Sequence, residues 1–200
     1  MIAGGSPAPA ALQSPPMGHR LSRIVTRTGD DGTTGLGDGT RTVKDAPRVH
    51  AMGEIDELSS ALGLVLAESP PADVREILSR VQNDLFDLGG EICIPGRVAV
   101  GDAHVARLED DVARLNERLP PLKEFVLPGG TRAGAAAHLA RTVARRAERA
   151  LVALHHAEPV APAGLQYLNR LSDLLFVIAR TLNRAEGVPE STWRHDRAGP

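Results

Sequence analysis

The sequence predicts an all-α fold, a bundle of five helices, and three observations lead there. From His50 onward, apolar residues recur at spacings of three and four, the signature of a helix with one buried stripe. The segments carrying this pattern are punctuated by paired prolines or glycines. None shows the sustained period-two alternation of β-branched residues that a strand would need.

The first stripe, Met52, Ile55, Leu58, Leu62, Val65 and Leu66, stops before Pro70 and Pro71, which cannot continue a helix. The second, Val74, Ile77, Leu78, Val81, Leu85 and Leu88, is expected to end near Gly89 and Gly90. After a loop with Pro95 and Gly96, a third stripe runs Val105, Leu108, Val112, Leu115, Leu119 and closes at Pro120 and Pro121. The fourth reads Leu139, Val143, Ala147, Leu151, Leu154, and the fifth Leu165, Leu168, Leu171, Leu175, Ile178, Leu182. Helix four is rich in alanine (Ala133, Ala135, Ala136, Ala137, Ala140, Ala144), so another helix can approach closely, at the bundle centre or at a subunit interface.

Two hundred residues suit one domain with a well-buried core. Residues 1–20 hold Pro7, Pro9, Pro15 and Pro16 among Ala, Gly and Ser and are expected to form a disordered arm, with Met17 an alternative start. The bundle is expected over residues 21–186, with a polar tail at 187–200. A net charge of −2 gives no reason to expect a general nucleic-acid binder. No stretch approaches the roughly 18 uninterrupted apolar residues of a membrane span, and the N-terminus resembles neither a secretory nor an arginine-rich transit signal. A cytoplasmic protein is expected. Cys93 is the single cysteine, which excludes an internal disulfide and reads as a small buried apolar residue.

The least ordinary stretch is Thr26 to Lys44, where glycines, threonines and aspartates crowd together before the first helix. Glycines let backbone N–H groups approach an anion, hydroxyls donate to phosphate oxygens, and Arg41 and Lys44 carry positive charge. The composition suits either a phosphate cradle or a polar surface turn. It matches no Walker A loop.

Helix four adds Arg141, Arg145, Arg146 and Arg149 with only Glu148 among them, and the steps from Arg141 to Arg145 to Glu148 keep these groups on one face. Arginine suits fork-like phosphate contacts, so the cluster is either a solvated charged face or an anion site. On helix one, Asp56 follows Ile55 at the edge of the buried stripe, where it either faces water or needs a partner such as a helix-four arginine. Helix five interleaves Asn169, Arg170, Ser172 and Asp173 with leucines, suggesting a polar layer or a site.

These segments together resemble a known family. Thr26-Arg-Thr-Gly-Asp-Asp-Gly-Thr-Thr-Gly-Leu-Gly-Asp-Gly-Thr-Arg-Thr-Val-Lys-Asp45, then Ala-x-Gly-x-x-Asp-Glu-Leu at Ala51 to Leu58, is similar to the N-terminal signature of PduO-type cob(I)alamin adenosyltransferases. Leu127-Pro-Gly-Gly130, the block Arg141 to Arg149, and Leu168 to Phe176 resemble the remaining family blocks in the same order, over about residues 24 to 185.

The resemblance implies a ferritin-like five-helix bundle assembled as a homotrimer, with ATP between subunits and the corrinoid beside it. Carried over by position, the nucleotide contacts are Thr26, Arg27, Thr28 and Gly29, then Thr34 and Gly35, then Lys44, all in an N-terminal segment of about residues 24–48. Arg145, Arg146, Glu148 and Arg149 of helix four and Asn169 of helix five join them, and Asp56 would pair with Arg141 across the interface. Phe125 would lie against the lower face of the corrinoid. Arg27 and Ser59 stand where lysine and asparagine are frequent, and neither change removes a charge.

The implied reaction moves the 5′-deoxyadenosyl group of ATP to cob(I)alamin, reached from cob(II)alamin by one-electron reduction, and releases triphosphate. Mg²⁺ would accompany the triphosphate. A reductase and an adenosylcobalamin-dependent mutase or dehydratase are the implied partners. A module that binds or delivers ATP or cobalamin without chemistry would keep the same pockets. A dimetal carboxylate bundle is disfavoured, because no Glu is followed by His three residues later. The histidines His50, His138, His155, His156 and His195 form no metal pattern, and Trp193 has no assigned role.

Overall fold

A computed structural model describes residues 24–194, so the expected arm at 1–20, the alternative start at Met17, and His195 lie outside the described residues. Among the described residues, five α-helices follow a short hairpin. The helices are α1 (Pro47–Ala67), α2 (Ala72–Cys93), α3 (Asp102–Asn116), α4 (Arg132–Ala157) and α5 (Pro162–Ala185). Strands β1 (Thr33–Gly35) and β2 (Arg41–Val43) pair antiparallel, with Thr34 opposite Thr42. No period-two signal marks this hairpin, because three-residue strands are too short to alternate visibly.

Local chemistry sets the helix limits. Pro47 and Pro162 occupy first-turn positions, where a missing N–H costs nothing. Thr131 caps α4 by accepting a hydrogen bond from Gly134 N–H at 2.9 Å. Asn183 of α5 holds that cap, accepting from Thr131 N–H at 2.9 Å and donating to Gly129 O at 3.0 Å. A Cβ at Gly134 would overlap Asn183, so this approach needs glycine.

Two expected limits move. Helix α2 continues through Gly89 and Gly90 to Cys93, since Leu88 and Ile92 are both buried and this packing outweighs glycine's low helix propensity. Helix α3 ends at Asn116 rather than at Pro120, with Leu119 packing from the following turn.

In space the helices run α3, α5, α4, α1, α2, with α4 packed against both α1 and α5. Ala137, Ala140, Ala144 and Ala147 form its buried face, which allows the close approach that their small size predicts. Leu139, expected in the stripe, is instead 54% exposed, because the alanine face takes the core side of this helix. No helix among the described residues is long and apolar enough to cross a membrane.

A buried polar node ties α2, α3 and α5 together. Tyr167, fully buried, donates to Asp84 Oδ2 at 2.9 Å, and Arg107 reaches the same carboxylate at 3.2 Å. Burial first, then the Asp84 charge, push the phenol pKa far above its usual value. Tyr167→Phe is expected to lower unfolding free energy by about 2 kcal/mol, read from urea denaturation, because a hydrogen bond to a buried charge is lost. An unchanged midpoint would show that Asp84 finds another donor.

Candidate functional site

The N-terminal segment builds itself from a repeated local device. Asp31 accepts from Thr33 N–H at 2.9 Å and from its hydroxyl at 2.8 Å, and Asp38 does the same with Thr40 at 2.9 and 2.7 Å. These Asx turns place Gly32 and Gly39 at φ +81° and +88°, conformations that favour glycine. The hydrogen bonds from Thr33 and Thr40 also hold both carboxyls below the usual aspartate pKa.

Within this segment the cations serve the loop itself. Arg41 donates to Thr28 O at 2.6 Å and to the Thr33 hydroxyl, while Lys44 Nζ donates to Gly29 O at 2.7 Å. Thr26 and Thr28 share a hydrogen bond of 3.0 Å, and Arg27 sits at φ +59°, a strained position for a side-chain-bearing residue. Thr34 and Gly35 lie in β1. Gly37 N–H donates to Cys93 O at 2.9 Å, which docks the hairpin onto the end of α2.

Helix α4 separates its arginines into two groups. Arg146 turns to α1, donating to Glu54 at 2.6 Å and pairing with Glu57. These pairs, Glu54 foremost, raise its pKa. Arg141, Arg145 and Arg149 have no ion pair among the described residues. They recur every four residues, so one ridge of the helix carries three unmatched guanidiniums. The Arg141 Nε is buried without a hydrogen-bond partner, and desolvation, then the nearby Arg145 charge, lower its pKa.

Beside this ridge the structure joins two of the expected site residues. Asn169 donates to Glu148 Oε1 at 2.8 Å and accepts from Arg170 at 2.7 Å. Asp56, however, is exposed and has no ion pair among the described residues. Helix α1 turns Glu54 and Glu57 toward α4, whereas Asp56 faces an apolar hollow of about 290 Å³ between α1 and α2, lined by Met52, Ile55, Phe86 and Cys93. Cys93 is accordingly half-buried rather than enclosed. Asp56 and Arg141 therefore do not meet in one chain, nor does any hydrogen bond or ion pair among the described residues link the 26–44 segment to Arg141, Arg145 or Arg149.

Phe125 is 77% exposed and meets Trp193 edge to face, with ring centroids 6.4 Å apart. The tail read as polar returns as a strap: Leu127 N–H donates to Ser191 O and Trp193 N–H to Phe125 O, both at 2.8 Å. Sequence reasoning missed this pairing, and a lone tryptophan in a polar stretch was its only signal.

It also passed over His138, buried in α4 against Phe176 with both ring nitrogens unpartnered. Burial first, then Arg141, lowers its pKa. Between that lowered value and the unfolded value of about 6.5, the unfolded chain binds the extra proton, so stability is complete above about pH 6.5 and is lost as pH falls through the folded pKa. His138→Leu is expected to remove this component, narrowing the gap in urea midpoints between about pH 7.5 and pH 5. An unchanged gap would exclude His138 as its source.

The model of one protein family, cobalamin adenosyltransferase, matches residues 24–182. The chain belongs to the cobalamin adenosyltransferase family. A cobalamin adenosyltransferase of Cupriavidus metallidurans is 57% identical over 182 residues, covering 90% of this chain and 99% of that protein. A corrinoid adenosyltransferase of Mycobacterium leprae is 42% identical over 191 residues, covering 89% of this chain and 98% of its own length. Among solved structures, a variant PduO-type ATP:corrinoid adenosyltransferase from Lactobacillus reuteri, complexed with cobalamin and ATP, superposes with a TM-score of 0.80 at 33% identity, covering 86% of this chain and 100% of that one. The five-helix bundle of the chain is thus the architecture of this family.

Proposed function

We propose that this chain transfers the 5′-deoxyadenosyl group of ATP to cob(I)alamin, giving adenosylcobalamin and triphosphate. The observation that carries this reading is the ridge of Arg141, Arg145 and Arg149, three guanidiniums on one helix face with no acidic partner among the described residues. Such a ridge is stabilised by a polyanion and is strained without one. Family membership supports a triphosphate as that polyanion.

In the reaction, cobalt(I) attacks the 5′ carbon, the Co–C bond forms, and the C5′–O bond breaks with its electron pair leaving on triphosphate. Cobalt(I) is itself the nucleophile, so the protein needs no catalytic base. Its work is to position and to neutralise. Holding ATP in line can lower the barrier by several kcal/mol, and cations on the phosphates stabilise the leaving group. Thr26, Arg27, Thr28, Gly29, Thr34, Gly35 and Lys44 would form one side of the nucleotide site. Arg145 and Arg149, with the joined pair Glu148 and Asn169, would form the other, whereas Arg146, expected there too, is held by Glu54 and Glu57 of α1.

Mg²⁺ would accompany the phosphates, keeping water and phosphate oxygens as ligands.

Among the described residues, no hydrogen bond or ion pair links the two halves of the nucleotide site within one chain, and Asp56 and Arg141 have no ion-pair partner. A homotrimer, with the N-terminal segment of one subunit facing the arginine ridge of the next, would satisfy both. Phe125 would stand against the lower face of the corrinoid and favour a four-coordinate cobalt(II), which accepts an electron more readily. We place the enzyme in the cytoplasm, between a reductase that supplies the electron and a mutase or dehydratase that uses the product.

The test is incubation with ATP, cob(II)alamin and a reductant, followed by visible absorbance. Adenosylcobalamin and triphosphate are expected in equal amounts. Binding of both ligands without turnover would overturn the enzymatic reading. A solution mass of one chain, 21.2 kDa, with full activity would overturn the trimer.

A further inference from the structure

An exposed aromatic ring on a loop cannot hold a substrate face unless something fixes the loop, and the residues just before Phe125 belong to no helix. Backbone bonds to the strap hold the loop beside Phe125, and one buried guanidinium contacts both loop and strap. Arg180 of α5 is 2% exposed, and it donates through Nε to Glu190 Oε1 at 2.6 Å and through Nη2 to Glu190 Oε2 at 3.2 Å. The same Nη2 donates to Pro120 O at 2.8 Å. Pro120 opens the loop that carries Phe125, and Glu190 sits on the strap that carries Trp193. Loop and strap then join through the Val126 to Thr192 bridge and the backbone bonds that flank it.

We propose that Arg180, through its paired contacts to Glu190 and Pro120, is a positioning residue that fixes Phe125 for adenosyl transfer. The inference rests on the corrinoid-facing role of Phe125 proposed above. Two features favour positioning over simple packing. The pair borders an open cleft of about 470 Å³, lined also by Leu119, Arg184 and Val188, so it is not buried for lack of solvent. A planar fork on a carboxylate fixes direction as well as distance, which an apolar side chain of equal volume would not do. Arg180 also lies over the Phe176 ring, 6.0 Å from its centre, and Phe176 meets His138, one turn before Arg141.

The experiment uses Glu190→Gln in the full chain, which keeps the size of the side chain and removes its charge. Trp193 is the single tryptophan, so its fluorescence reads the strap without reference to activity. Release of the strap is expected to shift the emission to longer wavelength and to raise acrylamide quenching about twofold, since a half-buried indole becomes fully exposed. The kcat for adenosylation is expected to fall roughly 10- to 100-fold while KM for ATP stays within about twofold, the split that misplacement of a reacting partner produces. In a Phe125→Ala background the same substitution is expected to change kcat by less than about twofold, because its effect runs through a ring already removed.

Effects that multiply in the double variant overturn the proposal, and so does unchanged Trp193 quenching. If the unaltered chain does not adenosylate cobalamin at all, the functional reading fails on its own assay. The fluorescence comparison then still decides whether the ion pair holds the strap.

Discussion

Phe125→Ala is expected to slow adenosylation roughly 100-fold while leaving ATP affinity within about twofold. The ring is 77% exposed in the free chain, so it contributes little to folding, and its removal should shift thermal or urea midpoints only slightly. In the role proposed for it, its apolar surface would be buried only when the corrinoid covers it. Losing a buried phenylalanine contact costs about 3 to 5 kcal/mol, and about 1.4 kcal/mol is a decade in rate, so a loss confined to half or more of that contact gives the stated factor. On the role proposed for Phe125, loss of the ring would let water or a base donate to the cobalt, and the ligated cobalt(II) would resist reduction. The measurements are steady-state kinetics with cob(II)alamin and reductant, and the visible spectrum of the enzyme-bound cob(II)alamin. Normal turnover with an unchanged four-coordinate spectrum would remove Phe125 from the site.

The second large effect is expected at Arg145. Arg145→Ala should weaken ATP binding by about 2 to 4 kcal/mol, roughly 30- to 700-fold in Kd by calorimetry, because it removes one charged fork from a desolvated phosphate. Folding stability should hardly change. Arg145 has no acidic partner among the described residues, and its charge opposes that of Arg141, so relief of repulsion offsets the small packing loss. Arg145→Lys is expected to recover part of the affinity, since it restores charge without the planar fork. The contrast with Arg146 makes the result interpretable, because Arg146 is held by Glu54 and Glu57 and its loss would be felt by the fold first. ATP affinity equal to that of the unaltered chain would sink the assignment of the ridge to phosphate.

Much of the architecture was legible because it depends on neighbours in sequence. Leu58, Leu62 and Val65, or Leu171, Leu175 and Ile178, are buried as their spacing required. Pro70 and Pro71 act through their own backbones, so the end of α1 just before them, at Ala67, could be read directly. Helix α2 shows where such local reading ends: Gly89 and Gly90 looked like a terminus, yet packing of Leu88 and Ile92 carries the helix past them.

The candidate site divides along the same line. By itself the sequence determined the helical class, the glycine and threonine segment, the arginine-bearing helix and, through resemblance, the family. Only the tertiary structure decided which arginine is committed to α1 and which three stand unmatched, that Asp56 faces a hollow instead of a partner, and that Arg180 holds the Phe125 loop to the Trp193 strap. The physical reason is that periodicity and turn chemistry are properties of one segment. The partner of a charged side chain is chosen by whichever distant segment packing brings within about 3 Å of it.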